Sequence, residues 1–163
     1  MTPRKIRTPA ERMLGYARVK EARDPRTPAD RLRELASDEI TPVRLYTAIN
    51  FATPPDALLR LSRDEERHVR WCVLLNPAAD DAVLRSMADR ERAEAAGPRE
   101  GSTYFLGGFY VRGYAVHHPG ASGALRAELF AEGACGCPGE CDKWQMWQTR
   151  MAQVARVRTA GWY

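Results

Sequence analysis

Three cysteines lie close together near the end of the chain, in the pattern Cys135-x-Cys137-x-x-x-Cys141. The segment that holds them is rich in glycine and contains Pro138, so it can fold back on itself. Zinc ions and iron–sulfur clusters both select cysteine thiolates, and both need ligands that converge on one point. The pattern therefore predicts a metal site, with structural zinc preferred and an iron–sulfur cluster as the alternative.

A fourth ligand for this site must come from another part of the chain. His118 and His117 precede the cluster and are the candidates. Cys72 shares a repeat position with Tyr46 and Tyr114, so we interpret it as a buried core thiol. The cluster is also compatible with free thiols in a loop or with a redox sensor, because it lacks the paired C-x-x-C spacing that is typical of zinc sites.

Three arginines, Arg44, Arg70 and Arg112, occupy equivalent positions in a repeated pattern. In stacked helices such residues would form a ladder of positive charge with steps of about 8–10 Å, which could follow a phosphate backbone. Asp38 and Asp64 also recur, just upstream of two of these arginines. We therefore favour ion pairs between neighbouring repeats and keep partner binding by the three arginines as the alternative.

Aromatic residues lie among glycines in residues 101–110. If exposed, Tyr104, Phe109 and Tyr110 could stack on bases or bind a protein partner. If packed, Phe105 and Phe109 would fill the gap where the repeat is interrupted. The glycines do not form a G-x-G-x-x-G or Walker pattern, so no phosphate-binding loop is predicted.

No catalytic arrangement is evident. His117 and His118 have no evident nucleophile partner, and neither G-x-S-x-G nor H-E-x-x-H is present. We expect a protein that is not an enzyme and has no small-molecule substrate. A helical-repeat enzyme similar to DNA glycosylases is the less favoured alternative.

The elements that position these residues follow from a repeat. Residues 27–90 contain nearly three copies of one pattern at a fixed spacing of 26 residues. The positions that recur are Leu32, Leu58 and Leu84; Leu35, Leu61 and Met87; Val43 and Val69; and Asn50 and Asn76. Self-similarity at a period between about 20 and 50 residues is typical of stacked solenoids. The pattern predicts an all-α solenoid of about four two-helix repeats.

Each repeat is predicted to hold two short helices. Thr27 and Thr53 stand where an N-cap is expected, each followed by Pro. The second helix is predicted to end at Asn50 or Asn76, in the left-handed conformation that asparagine tolerates. Such a pair cannot bury its own apolar stripe, so neighbouring pairs must stack.

We expect a single domain over residues 1–163. Its predicted segments are a basic leader at 1–7, a capping helix at 8–24, helical repeats over 27–130 with an insertion at about 91–110, a cysteine-rich loop at 133–141 and an amphipathic closing helix at 142–163. In the closing helix, Trp144, Trp147, Met151 and Val154 fall on one side and are interpreted as core.

The repeat resembles the leucine-rich repeat variant family. The motif stands here as Val69-Arg70, Asn76-Pro77 and Leu84-Arg-Ser-Met87-Ala88-Asp89, and it covers residues 27–90 well and 111–130 loosely. The resemblance implies a right-handed superhelix related in outline to HEAT and armadillo arrays. It implies no biochemical activity. One member of that family carries an iron–sulfur segment before its repeats, whereas the cysteines here follow them, so the cofactor does not transfer by position.

Charge is distributed unevenly along the 163 residues, whose net charge is +4. The net charge is +6 in residues 1–33, −4 in residues 34–100 and +2 in residues 101–163. Because the central repeats are acidic, we expect a protein partner first. Nucleic acid is the alternative, through the basic N-terminus and the arginines. The absence of a long apolar run leads us to expect a cytoplasmic protein with no membrane partner.

Overall fold

The computed structural model describes residues 9–96 and 111–135, together with Thr149. In these residues every regular element is an α-helix, which confirms the all-α prediction. The helices are α1 Pro9–Arg23, α2 Ala29–Leu35, α3 Thr41–Ile49, α4 Pro55–Leu61, α5 Arg67–Leu74, α6 Asp81–Ala96, α7 Val111–Ala115 and α8 Gly123–Ala131. None of them is both long enough and apolar enough to span a membrane.

Helices that are two apart in the chain contact each other. Helix α3 contacts α1 and α5, and α5 also contacts α7. Helix α4 likewise contacts α2 and α6, while α7 contacts α6 and α8. Equivalent helices of successive repeats are therefore neighbours in space.

The repeated apolar positions form the core. Leu32, Leu58 and Leu84 are fully buried, and the second set (Leu35, Leu61 and Met87) is almost fully buried. At the N-terminal end, Ala22 of α1 joins a separate small cluster with residues of α2 and α3. The 26-residue spacing thus identified core positions in three consecutive first helices.

The N-cap prediction for Thr27 and Thr53 is wrong. Helices α2 and α4 begin after Pro28 and Pro54, and neither has a side-chain cap. The two threonine hydroxyls instead donate to carbonyl oxygens in or near the last turn of the preceding helix, at 2.6 Å in both cases. Because each helix begins one residue later than predicted, the threonines satisfy the end of one helix rather than the start of the next.

The predicted left-handed conformation of the asparagines is also wrong. Asn50 follows α3 with φ −68° and ψ 119°, which is extended backbone. Within the described ranges, no residue other than glycine has a positive φ. The asparagine is therefore needed for its side chain rather than for its backbone freedom.

Helix α6 continues to Ala96, so the start of the predicted insertion, residues 91–96, is helical. Several predictions fall outside the described residues. They are the leader 1–7, the aromatic residues Tyr104, Phe109 and Tyr110, the cysteines Cys137 and Cys141, and the closing helix apart from Thr149.

Candidate functional site

A polar residue follows the second helix of each pair and bonds to the pair before it. The Asn76 side-chain amide donates to the carbonyl oxygens of Ala48, at 2.8 Å, and Asn50, at 2.9 Å. One repeat earlier, Asn50 donates in the same way to Ala22, at 2.9 Å, and Asp24, at 2.8 Å. The two asparagines are buried, so these bonds satisfy carbonyl groups that have little access to water.

The same side chains also close a local turn. The Oδ1 atoms of Asn50 and Asn76 each accept a hydrogen bond from the amide two residues later, at 3.0 Å. Asp24 accepts an equivalent bond from Arg26, at 2.9 Å. We call the series Asp24, Asn50, Asn76 and His118 the polar ladder.

His118 is the last member of the polar ladder. Its Nδ1 atom accepts from the amide of Gly120, at 3.0 Å, and its Nε2 atom lies 3.1 Å from the carbonyl oxygen of Asn76. Because an amide can only donate, the proton of the neutral ring is on Nε2. The ring is fully buried, and this burial lowers the pKa of His118 to about 4.

Neither end of the polar ladder offers a group for a further bond of the same kind. Asp24 keeps the acceptor of the turn, but its carboxylate has no N–H group with which to bind an earlier repeat. At the other end, the carbonyl oxygen of His118 accepts from Nη2 of Arg126, at 3.0 Å. In the earlier repeats the equivalent carbonyl of Asn50 or Asn76 accepts from the following repeat.

A second series consists of ion pairs between repeats. Arg44 binds Asp64 through two bonds of 2.6 and 3.1 Å, with side chains only 12% and 6% exposed. One repeat earlier, Arg18 binds Asp38 at 2.6 Å. The aspartates also accept backbone amides at the start of α3 and α5. The inter-repeat ion pairs favoured by the sequence are therefore present.

The series changes after Asp64. The residue 26 positions after Asp64 is Arg90 rather than an acid. Arg70 donates to the carbonyl oxygens of Asp64 and Glu65, at 2.8 and 2.9 Å. Arg112 instead binds Glu91, at 3.1 Å. Two of the three predicted partner-binding arginines thus lie in ion pairs, and the third holds main-chain carbonyls.

The Cys72 thiol is buried among apolar side chains, as its repeat position predicted. Burial raises the pKa of Cys72 to about 12. Because the thiolate is the form that ligates metals and attacks electrophiles, burial disfavours both reactions at Cys72.

The predicted metal ligands are only partly described. Cys135 is partly buried just after α8, and Cys137 and Cys141 lie outside the described residues. Both nitrogens of His118 are engaged, so metal binding there would break a ladder bond. His117 packs edge-on against Phe130, with ring centroids 6.0 Å apart. Within 9–96 and 111–135, no three metal-ligating side chains form a group, so the metal site stays a prediction.

Within the described residues, most of the exposed large apolar side chains lie on α1. Met13 is 71% exposed, Leu14 59% and Tyr16 74%. The neighbouring Ala17 is also exposed. We call these four residues the α1 face. Clusters of large apolar side chains on a surface mark sites of interaction more often than single ones do.

Sequence reasoning missed the polar ladder, Arg18 and the α1 face. The signal for the ladder was a polar residue at a fixed place in an apolar repeat, at Asn50 and Asn76. The signal for Arg18 was its position 26 residues before Arg44. Nothing local in the sequence indicated that Met13 and Tyr16 are exposed.

No protein-family model, curated protein or solved structure matches this chain. The resemblance to the leucine-rich repeat variant family therefore depends on its motif alone.

Proposed function

We propose that the chain is an α-solenoid of about four helical pairs that acts as a non-catalytic binding module for another protein. The recurrence of the ladder bonds between residues 26 and 28 positions apart supports the solenoid. Stacked pairs of this kind form an extended surface that suits macromolecular partners.

The exposed α1 face carries the proposal. Of the large apolar side chains in the described ranges, the exposed ones are Met13, Leu14, Tyr16 and Phe130, and three of these four lie within a single turn of α1. Burying these side chains against a partner would contribute about 25 cal/mol per Å² of apolar surface, before the costs of association.

The burial of two reactive side chains, Cys72 and His118, also supports a binding role. Cys72 and His118 are both buried, and burial shifts the pKa of each in the direction that favours its neutral form. They stabilise the helix packing instead of facing a site that a substrate can reach.

A protein partner is preferred over nucleic acid because the charge of the arginine series is largely balanced. Arg44 and Arg112 both bind carboxylates of this chain. A phosphate backbone would have to break these pairs, and it gains most from arginines whose charge is not already compensated.

We further propose a structural zinc ion bound by Cys135, Cys137 and Cys141, with His117 as the fourth ligand. Zinc analysis of the anaerobically purified full chain tests this. We expect about one equivalent, which Cys137→Ser abolishes while Cys72→Ser does not. Less than half an equivalent, or a content unchanged by Cys137→Ser, would contradict the metal site.

Affinity purification of the full chain from its native host tests the binding function. We expect a protein to be retained in stoichiometric amount at high salt, with an absorbance ratio typical of protein. Recovery of nucleic acid that is lost steeply as salt rises would support the alternative. Recovery of the chain alone, across several growth conditions, would contradict the proposal.

A further inference from the structure

Two of the four residues of the α1 face are counterparts of the surface on which α3 receives α1. Leu14 and Ala17 stand 26 residues before Ile40 and Val43. Ile40 and Val43 are 7% and 0% exposed, in a cluster that includes Ala22 of α1. The same two positions on α1 are apolar but exposed. Helix α1 thus presents part of a helix-receiving surface that has no helix on it within the described residues.

The packing of α1 against α3 shows how a helix approaches this kind of surface. A Cβ atom added to Gly15 of α1 would lie 2.9 Å from Cδ1 of Ile40. Val19 and Ala22 pack against the same cluster. Small residues on the arriving helix therefore let the two backbones come close, and a partner helix needs a similar stripe of small and apolar side chains.

The charges beside the α1 face are mainly basic. Exposed Lys20 stands where α3 has Tyr46. The neighbouring acid, Glu21, is bound by Arg31 at 2.7 Å, so its charge is compensated within the chain. In residues 13–33, whose side chains are described, six basic residues stand against three acidic ones. An acidic partner fits this surface because opposite charges steer and orient association.

We propose that the α1 face binds an amphipathic, acidic helix of a partner protein, which packs on α1 as α1 packs on α3. This assignment rests on the proposed protein-binding function and specifies its partner. An exposed apolar groove that accepts an amphipathic helix is a recurring mode of peptide recognition.

A second copy of the chain fits this surface less well. Inside the protein, each repeat is joined to the previous one by the polar ladder as well as by apolar packing. Asp24 has no donor for a further ladder bond, and the carbonyl oxygen of His118 at the other end is occupied by Arg126. Two copies stacked end to end would lack these bonds, whereas a partner helix held by apolar and charge contacts does not need them.

Peptide binding to the full chain tests the proposal. The probes are two synthetic amphipathic helices of about 18 residues with one leucine stripe, flanked by glutamate in one and by lysine in the other. Fluorescence anisotropy should show that the glutamate peptide binds at least about tenfold more tightly at low salt. A zero-length carbodiimide should join a peptide glutamate to the Lys20 amine as an amide. Equal affinities, or no saturable binding of the glutamate peptide, would overturn the proposal.

Matched variants in α1 and α8 complete the test. Leu14→Glu should abolish binding of the glutamate peptide, and Lys20→Glu should shift the preference towards the lysine peptide. Phe130→Glu is the control, because Phe130 is an exposed apolar residue far along the chain on α8. Circular dichroism checks that each variant is folded. Loss of binding in the Phe130 variant alone would place the site elsewhere and overturn the assignment.

Two other occupants give distinct results. Concentration-dependent dimerisation that Leu14→Glu removes would assign the α1 face to a second copy. Binding to anionic lipid vesicles, without binding of either peptide, would assign it to a membrane surface. Each result overturns the acidic-helix proposal.

The host protein recovered by affinity purification separates this proposal from the proposed function. If Leu14→Glu still recovers that protein, the α1 face is the wrong surface but the binding function stands. If the wild-type chain recovers none, the function itself fails. If the protein is recovered by wild type and Phe130→Glu but lost from Leu14→Glu, both are supported.

Discussion

The imidazole of His118 performs at the end of the polar ladder the part that the amide of Asn76 performs one repeat earlier. Nε2 of His118 lies 3.1 Å from the carbonyl oxygen of Asn76, and Nδ1 accepts the amide of Gly120 at 3.0 Å. The two residues are fully or almost fully buried. The ring can take the place of the amide here because each offers a donor and an acceptor in its neutral form, although the ring has one N–H group and the amide has two.

Replacing Asn76 tests the ladder directly. Asn76→Ala leaves the carbonyl of Ala48 and the amide of Ala78 without this partner, while the carbonyl of Asn50 keeps the bond from the Thr53 amide, at 3.0 Å. Because buried polar groups without partners cost about 1–3 kcal/mol each, we expect the free energy of unfolding to fall by about 3 kcal/mol. Urea unfolding followed by circular dichroism measures it.

Asp24, the first residue of the polar ladder, supplies the matched control. Asp24→Asn keeps the acceptor for Arg26 and adds donors on a side where the described residues hold no earlier repeat, so the urea midpoint should change little. Asn76→Asp, the reverse change inside the ladder, should destabilise at least as much as Asn76→Ala. Similar midpoints for Asp24→Asn and Asn76→Asp would show that the ladder bonds are not what stabilises the stack.

Acid should weaken the protein through His118. Its pKa is lowered from 6.5 to about 4 in the folded chain, so between these values the unfolded chain binds a proton that the folded chain does not. The contribution of the neutral ring to stability is complete above pH 6.5, falls as the pH drops below 6.5 and is lost by about pH 4. The difference between the two pKa values corresponds to about 3 kcal/mol in the free energy of unfolding.

The pH dependence can be isolated with a variant that restores the repeat residue. His118→Asn should remove most of the loss of stability between pH 6.5 and 4 that urea unfolding detects in the wild type. His68→Gln is the control, since His68 is exposed on α5. A His118→Asn protein that loses stability as steeply as the wild type would refute the assignment.

Gly120 should not tolerate a side chain. A Cβ atom there would fall far inside contact distance of the carbonyl oxygen of Ala79, a backbone atom that cannot move away easily. We expect Gly120→Ala to lower the free energy of unfolding by about 1–3 kcal/mol or more. Gly123→Ala is the matched control, because nothing lies within 4 Å of its added Cβ. Equal thermal midpoints for the two variants would contradict the close approach.

The buried ion pair between Arg44 and Asp64 should matter more than exposed pairs. Arg44→Met leaves a largely buried carboxylate without its partner, which costs about 1–3 kcal/mol. Arg33→Met, which removes the exposed pair with Asp56, should shift the urea midpoint far less. If Arg44→Met is neutral for stability but reduces nucleic acid recovery, the alternative function gains support.

Much of the architecture was predictable because it depends on the regular recurrence of apolar residues along the sequence. Leu32, Leu58 and Leu84 recur every 26 residues, and a leucine that recurs at one place in a helical repeat has to face the core. Helix starts were predicted less well. Thr27 and Thr53 look like N-caps in the sequence, but the nearest unsatisfied group is a carbonyl of the preceding helix, and this is known only once the turn is built.

The sequence by itself determined that the chain is helical and at which repeated positions its core residues lie. It also determined that Cys72 is one of these core residues. Tertiary structure alone decided the partners of the polar groups. Asp64 lies 20 residues from Arg44, and the carbonyl of Asn76 lies 42 residues from His118. Hydrogen bonds require atoms within about 3 Å and a favourable angle. Repeat spacing indicates which residues are equivalent, but the offset between stacked helices determines which of them touch.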